Sequence, residues 1–503
     1  MYSDYSTART ITSLSGVARY TVRVRRCHHR RCDLYAVPIH PEAEGRLALP
    51  HHEFGLDVVA YAGNRRYAAH RTAPEIHAEL TARGVALSVR AVTDLLHRFD
   101  ELRALAATDP DRLRPAFEKQ GRVVLAIDGL QPDVGHEVLW VIRDVLSGRV
   151  VLAKALLSGA AADLAALLGR AAEAVGVPVA GVVSDGQHSI RNAVAEALPG
   201  VPHQLCQFHY LREAAGPVYE ADRHAKKELK KHVRGVREIE RRVEERNDAQ
   251  AEAVRGYCAA VRGALTDDGR PPLDSAGLRL RDRLTAVADS LGRAGAKGGA
   301  PRELTRLRRL VSKGLERTAE LFAPVAELFA WVYRVAHELS NHDTLAGAGV
   351  RGRWDGLVRE MGALAGRRPD LSEPLGQLVK VSRSYEPGLF HCYDVPGVPR
   401  TNNDLEQLFG SHRHHERRCS GRKVASPGLV VRGSVRLVAG LVTRLGEATA
   451  DELAPARVYE WQELRAELGY REAARAQQQR FRRDPPGYLK RLEKQAHQSG
   501  LPA

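Results

Sequence analysis

The sequence predicts a mixed α/β sheet that is interrupted by a long helical segment and preceded by a pair of short helices. Three observations support this fold class. Apolar runs of strand length follow one another between residues 123 and 183, and helical patterns alternate with the later runs. From about Gly216 to Arg383 the chain is largely helical in pattern and rich in charge. Near the N-terminus a glycine-containing turn separates two helical patterns, which is typical of a helix-turn-helix.

The composition is that of a folded, basic protein. Of the 503 residues, 76 are Lys or Arg and 61 are Asp or Glu, so the formal net charge is +15. This surplus suits a polyanionic partner such as nucleic acid. A hydrophobic fraction of 44% argues against wholesale disorder. Because no apolar run is long enough to span a membrane and no secretory signal is visible, we expect a cytoplasmic protein. Six scattered cysteines fit a reducing compartment.

The N-terminal segment, residues 1–60, contains a possible zinc module. Its first 20 or so residues are polar, and we expect them to be loosely ordered. Cys27 and Cys32 follow, with three histidines nearby, which suggests a zinc knuckle that binds Zn²⁺. The Cys-x₄-Cys spacing is loose and no second cysteine pair follows, so a degenerate module without metal stays open as the alternative. The three histidines are His28, His29 and His40.

A helix-turn-helix is predicted within residues 61–110. Pro74 suits a first helical turn, Gly84 breaks the pattern, and Ser88 can cap a second helix. In this motif the start of the second helix contacts bases, so Ser88, Arg90 and Thr93 are candidate DNA-reading residues. An ordinary helical hairpin would show the same pattern.

The predicted sheet begins after residue 118. Four strands are expected at 123–127, 137–142, 149–155 and 179–183. Helices are expected at 161–175 and 189–198. Three successive strands followed by helix, strand and helix indicate a mixed α/β layer.

Two aspartates follow apolar strands of this sheet. Asp128 comes directly after the run 123–127, Asp185 comes after 179–184, and a glycine follows each acid. Ligands of open α/β sheets bind at the carboxyl ends of the strands. Neighbouring carboxylates repel one another, and a hard divalent cation such as Mg²⁺ relieves that repulsion.

A third acid is needed for a two-metal site that acts on phosphodiesters. Glu406 is the candidate, because it lies in the first turn of a predicted helix that Thr401 or Asn402 could cap. Asp404 is the nearest substitute. Asp133 and Asp144 are interpreted as loop or capping acids.

The order Asp128, Asp185, Glu406 on strand, strand and helix resembles the DDE triad of ribonuclease-H-like transposases. The segment DGQHSIRNA that begins at Asp185, followed by Cys206-Gln-Phe-His209, is similar to the Mutator-like superfamily, which includes transposases of bacterial insertion sequences. That family pairs its second Asp with a downstream Cys-x-x-His and inserts a helical domain before the Glu. The long separation between Asp185 and Glu406 leaves room for such an insertion.

The resemblance implies a ribonuclease-H-like core in two parts, residues 118–215 and 399–445, with a helical insertion at 216–398 and a basic helical tail at 446–503. It implies metal-dependent DNA strand cleavage and strand transfer at the ends of an insertion sequence. The three acids would hold two Mg²⁺ or Mn²⁺ ions. Cys206 and His209 would be auxiliary, with Cys206 packed at a strand end and His209 close to the acids.

A basic stretch, residues 412–423, follows the third acid and suits a clamp on the phosphate backbone of DNA. Its permanent cations are Arg413, Arg417, Arg418, Arg422 and Lys423, and three histidines accompany them. A solvated loop is the alternative interpretation. The cations between Lys226 and Arg242 are expected on one helix, where interspersed glutamates favour a solvated charged face over binding to DNA.

The expected partners are double-stranded DNA, both element ends and target, and further copies of this chain, since joining two ends calls for at least a dimer. The expected location is the bacterial nucleoid, with no membrane association. Two other functions stay open: a domesticated regulator that binds DNA without cutting it, and a ribonuclease-H-fold nuclease that joins no strands. Retention of all three acids favours the transposase.

Overall fold

The structure, a computed structural model, describes residues 2–132, 136–296, 298–422, 427–455 and 457–498. Its strands are β1 (Tyr2–Ser13), β2 (Gly16–Arg26), β3 (Val123–Leu130), β4 (Val138–Asp144), β5 (Val150–Leu156), β6 (Val179–Ser184) and β7 (His203–Leu205).

The chain divides into two compact units. The first contains Met1–Val182, Gln187–Val201 and Asn402–Ala503, and the second contains Val183–Gly186 and Pro202–Thr401. The segment expected as a helical insertion falls within the second unit.

The helices of the first half of the chain are α1 (Glu42–Leu47), α2 (Leu56–Tyr67), α3 (Ala73–Ala82), α4 (Val89–Thr108), α5 (Pro110–Gln120), α6 (Ala161–Val175), α7 (His188–Ala197), α8 (Gln207–Ala214), α9 (Gly216–His232), α10 (Val236–Arg241) and α11 (Ala249–Thr266). Those of the second half are α12 (Ala276–Ala296), α13 (Arg302–Ser340), α14 (Gly347–Arg367), α15 (Pro369–Tyr385), α16 (His391–Asp394), α17 (Asn403–Ser420), α18 (Pro427–Leu445), α19 (Ala450–Leu453), α20 (Val458–Arg483) and α21 (Pro485–Gln498). No helix within the described ranges has the length and apolar character needed to cross a membrane.

The N-terminus forms an antiparallel hairpin, so the expectation of a loosely ordered start is wrong. Strands β1 and β2 pair from Tyr2 opposite Arg26 to Ser13 opposite Gly16. In β2 the buried residues Val22 and Val24 alternate with exposed arginines. The segment forms a strand although its composition is polar, because side chains alternate between two faces and one apolar face is enough to pack against a core.

The two predicted helices of the helix-turn-helix region are confirmed as α3 and α4. Gly84 lies between them with a φ of +83°, in the left-handed region that favours glycine. The Ser88 side chain accepts a hydrogen bond from Ala91 N at 3.1 Å and so caps α4, as expected. Ser88, Arg90 and Thr93 are all exposed.

The central sheet is mixed and has the strand order β5-β4-β3-β6-β7. The four predicted strands are confirmed within a few residues, whereas the three-residue strand β7 was not predicted. Strands β3, β4 and β5 are successive antiparallel neighbours. Val123 N, at the start of β3, donates to Pro178 O, directly before β6, at 3.0 Å. Because the starts of β3 and β6 lie side by side, these two strands run in the same direction and end at one edge.

A buried ion pair joins three helices of the first unit. Arg432 of α18 lies 2.5 Å from Glu101 of α4, and both side chains are almost fully buried. The other carboxylate oxygen of Glu101 accepts a hydrogen bond from the indole N–H of Trp461, in α20, at 2.7 Å. Arg432 also donates to the carbonyl of His97 at 3.0 Å. If either Glu101 or Arg432 were removed, the other would remain buried without this counter-charge.

Among its described residues, the second unit has helices as its regular structure apart from the short strand β7 and the last two residues of β6. The 39-residue helix α13 runs through a core that includes Leu229, Val311 and Phe329. The cations expected on one helix are instead divided between α9, which ends at His232, α10, and the residues that directly follow each of these helices. Lys226 is buried and lies 2.7 Å from Asp268, so this part of the charged face is not a solvated one.

We expect Glu101→Ala to lower the free energy of unfolding by about 3–5 kcal/mol, since it removes the buried carboxylate that pairs with the Arg432 guanidinium and leaves the Trp461 indole N–H without its acceptor. Urea denaturation of the full chain would measure the change. The matched control is Lys154→Ala, which removes an ion pair between β5 and α20 whose side chains are 38% and 46% exposed. The control should cost less than about 1 kcal/mol. Equal losses in the two variants would contradict the assignment.

Candidate active site

Asp128 is the sixth residue of β3 and lies opposite Val141 of β4. Its side chain is half-buried, and its Oδ1 accepts a hydrogen bond from Gly129 N at 2.7 Å. A Cβ atom on Gly129 would lie 2.8 Å from a methyl group of Val138 and 3.1 Å from the Trp140 ring. Glycine at this position therefore lets β3 and β4 pack closely directly beside the acid.

Asp185 follows β6 directly and is half-buried. Gly186 has a φ of +89°, and a Cβ atom there would meet the Tyr385 ring at 2.8 Å. The Tyr385 hydroxyl can donate to the Asp185 carbonyl, at 3.2 Å, or to Glu213 Oε2, at 2.8 Å. The turn that carries Asp185 is thus fixed by a buried tyrosine of α15. Sequence reasoning missed this residue, because no local pattern relates positions 185 and 385.

The Cys-x-x-His segment is attached to the same turn. Cys206 N donates to Ser184 O at 2.8 Å, and the Ser184 hydroxyl lies 2.9 Å from His203 Nε2. Cys206 is fully buried at the N-terminus of α8, in agreement with the expected packing at a strand end. His209 is half-buried in the first turn of α8, where its ring meets Phe208 edge-on.

The helix that carries Glu406 starts against β3. Asn402 precedes α17 and is buried, and its side-chain amide donates to the carbonyl of Ile127 at 3.3 Å. Asn402 occupies the N-cap position, as expected, but its side chain makes no capping hydrogen bond, and Thr401 lies one residue before the cap.

This hydrogen bond relates the first and third acids. Ile127 immediately precedes Asp128, and Glu406 lies four residues, or about one helical turn, after Asn402. Helix α17 contacts β3 along its start. Two carboxylates that are far apart in sequence therefore occupy adjoining elements of the first unit, and both are half-buried.

The remaining acids differ in their surroundings. Asp144 is fully buried and accepts hydrogen bonds from Val124 N at 3.0 Å and from the Ser147 hydroxyl at 2.6 Å, as expected of a loop acid. Asp404 is exposed in the first turn of α17. Asp133 lies outside the described residues.

The basic stretch 412–422 is the second half of α17 and the residues just after it, not a loop. One face of it is cationic, with exposed side chains of Arg413, Arg417, Arg418 and Arg422. Lys423 lies outside the described residues.

Two of the three histidines in this stretch point away from that face, so the expectation that all three join the clamp is wrong. His412 and His415 are buried on the side of α17 that packs against its own unit. Burial is the main cause that lowers the pKa of His412 to about 3 and that of His415 to about 2. Both rings are therefore neutral at neutral pH and carry no charge to a phosphate.

Cys27 and Cys32 are both half-buried free thiols. A hydrogen bond with the backbone of His29, followed by one with the Cys32 side chain, lowers the pKa of Cys27. His40 lies 2.9 Å from Glu44 and is paired with that acid. Zinc binding by the two thiols stays a prediction.

Comparison with known proteins gives no assignment. Neither a scan against protein-family models nor a search of curated proteins finds a match for this chain. The case for a function therefore depends on the motifs of the sequence and on the side chains described above.

We expect Asn402→Ala to release the start of α17 from β3, because the Ile127 carbonyl loses a buried donor. The loss should be about 1–3 kcal/mol in the free energy of unfolding. Hydrogen exchange should accelerate at the backbone amides of residues 403–409. Asn403→Ala, one position later and half-buried, is the matched control. Equal exchange in both variants would show that the Asn402 amide does not anchor the helix.

Proposed function

We propose that this chain is a DDE transposase of ribonuclease-H-like fold, related to the Mutator-like superfamily, that cleaves and transfers DNA strands. The observation that carries the proposal is the hydrogen bond from Asn402 to Ile127. It holds the helix of the third candidate acid against the strand of the first, which is what a DDE site requires of two residues so distant in sequence.

The order of the strands supports the inclusion of Asp185 as the second acid. Strand β6 is the neighbour of β3 and runs in the same direction, and Asp185 follows β6 as closely as Asp128 follows the buried part of β3. The resemblance would place both acids at the carboxyl-end edge of the sheet, where α/β sheets bind their ligands. The glycine after each acid permits close packing of the adjacent side chains, Trp140 in one case and Tyr385 in the other.

The donor set fits a hard divalent ion. Asp128, Asp185 and Glu406 offer only carboxylate oxygens, and each is half-buried, so two Mg²⁺ or Mn²⁺ ions suit them better than a thiophilic metal. Bound there, the ions would lower the pKa of the attacking water and stabilise charge on the phosphodiester. The Gly129 amide orients the Asp128 carboxylate, and Tyr385 orients the Asp185 backbone.

The exposed basic face of α17 begins two turns after Glu406 and would hold the phosphate backbone that enters the site. Ser88, Arg90 and Thr93 are exposed at the start of α4, where a helix-turn-helix contacts bases. Hydrolysis of one phosphodiester would release a 3′-OH at the element end. Attack of that 3′-OH on a target phosphodiester would then form a new strand joint and release the target's own 3′-OH.

Strand-transfer assays on a plasmid that carries the gene with its natural flanking DNA would test the mechanism. We expect Asp128→Asn, Asp185→Asn and Glu406→Gln each to lower joining by about 100-fold or more, because each removes a ligand of the ions. Asp404→Asn is the matched control, an exposed acid in the same helical turn as Glu406, and should retain joining.

Each other outcome is informative. Near-normal joining by one of the three variants removes that residue from the site, and loss in Asp404→Asn with retention in Glu406→Gln would exchange the two roles. Metal-dependent cleavage without joining would favour a nuclease. Specific DNA binding without cleavage would favour a regulator.

The basic face of α17 can be tested separately. The double variant Arg417→Ala/Arg418→Ala should bind DNA more weakly, and the slope of log K against log salt should fall by about 0.9 for each phosphate that the protein no longer neutralises. Fluorescence anisotropy over a salt series would measure both effects. Arg383→Ala removes an exposed arginine of the second unit and serves as control. An unchanged slope in the double variant would contradict a clamp at this face.

A further inference from the structure

Three metal-ligating side chains meet on the buried side of α17. His415 and Cys419 belong to this helix, and His70 follows the end of α2 in the same unit. The Nδ1 atoms of His70 and His415 are 2.8 Å apart, and Cys419 Sγ lies 3.6 Å from His415. One ligand atom of each residue lies within 4.8 Å of the other two.

The backbone of both elements brings these side chains together. His415 and Cys419 are four residues apart, so they share one face of α17. His70 has a φ of +53°, in the left-handed region that few residues other than glycine adopt. The turn around it is closed by a hydrogen bond from Arg71 N to Arg65 O at 3.0 Å. This conformation directs the chain after α2 toward α17.

We propose that His70, His415 and Cys419 bind a thiophilic divalent ion, Zn²⁺ in the first instance, with water as the fourth ligand. In a tetrahedral zinc site with N and S ligands, nitrogen and sulfur lie about 3.6 Å apart and two nitrogens about 3.3 Å apart. The separation of His415 and Cys419 already has this value. The two imidazoles need to part by about half an ångström from their present hydrogen bond. His70 is half-buried, which leaves a side open to water.

The site differs in chemistry and place from the carboxylate triad. Its ligands are two nitrogens and a sulfur, whereas the acids offer oxygen alone, so the two sites select different metals. His415 lies nine residues after Glu406 on the same helix, about 13 Å along its axis. A metal bound here would join α17 to the end of α2 and hold the helix in place from its buried side. The inference therefore stands whether or not the chain transfers DNA strands.

Co²⁺ is a suitable probe because a thiolate ligand gives it an intense near-ultraviolet charge-transfer band, and tetrahedral geometry gives strong visible bands. Cobalt bound by carboxylates alone shows neither. The full chain would first be changed to Cys27→Ser/Cys32→Ser, so that the N-terminal thiols cannot contribute. We expect this protein to bind one equivalent of Co²⁺ with both signatures, and Zn²⁺ to displace it.

Further variants locate the site. In the same background, Cys419→Ser should abolish the charge-transfer band, and His70→Gln should weaken Co²⁺ binding by more than about tenfold. Two matched controls should leave the spectrum unchanged: Cys258→Ser, a buried cysteine elsewhere, and His414→Gln, the exposed histidine beside His415. Circular dichroism would verify folding.

Absence of the band from the background protein overturns the proposal, as does an unchanged band in Cys419→Ser. If Cys419→Ser does not fold, His70→Gln decides, since it lies outside the helices. Undiminished cobalt affinity in His70→Gln then contradicts the site.

Discussion

The buried hydrogen bond between the Asn402 amide and the Ile127 carbonyl is the constraint on which the candidate site depends. The chain leaves the sheet after β7 and returns about 200 residues later, at the residue before α17. The carbonyl of Ile127, at a buried strand position, needs a hydrogen-bond donor, and the side-chain amide of Asn402 supplies it. This hydrogen bond thereby aligns the strand and the helix that carry the first and third acids.

The parts of this arrangement that are local could be predicted. Continuous apolar runs identify β3, β4, β5 and β6, and Asp128 and Asp185, each directly after such a run, are the candidate acids that the sequence alone indicates. Strand β1 escaped prediction because its composition is polar. Strand β7 is too short for a periodic signal. The support that Tyr385 gives to the Asp185 turn joins positions 200 residues apart and has no counterpart in any local pattern.

In the stretch after Glu406, the charge composition alone does not predict which side chains are buried. Arginines dominate its composition, and composition alone favours a solvated loop or clamp. Helical spacing from Leu405 places Phe409, His412 and His415 toward the core, whereas the arginines of this stretch reach solvent. The contact between His415 and His70 spans 345 residues, so the group formed with Cys419 becomes visible only in the folded chain.

The pairing of Glu101 with Arg432 and Trp461 has a consequence for the end of the chain. The indole that satisfies this carboxylate comes from α20, which begins at Val458. Loss of the sequence beyond residue 457, through a frameshift or a protease cut, would leave one carboxylate oxygen of Glu101, in the middle of α4, without its indole donor, and Arg432 alone would pair with the buried charge. Loss of the C-terminal helices would thus destabilise α4, the helix whose N-terminus carries Ser88 and Arg90. A chain shortened in this way would therefore lose stability in its N-terminal helices as well, although Asp128, Asp185 and Glu406 would all be present.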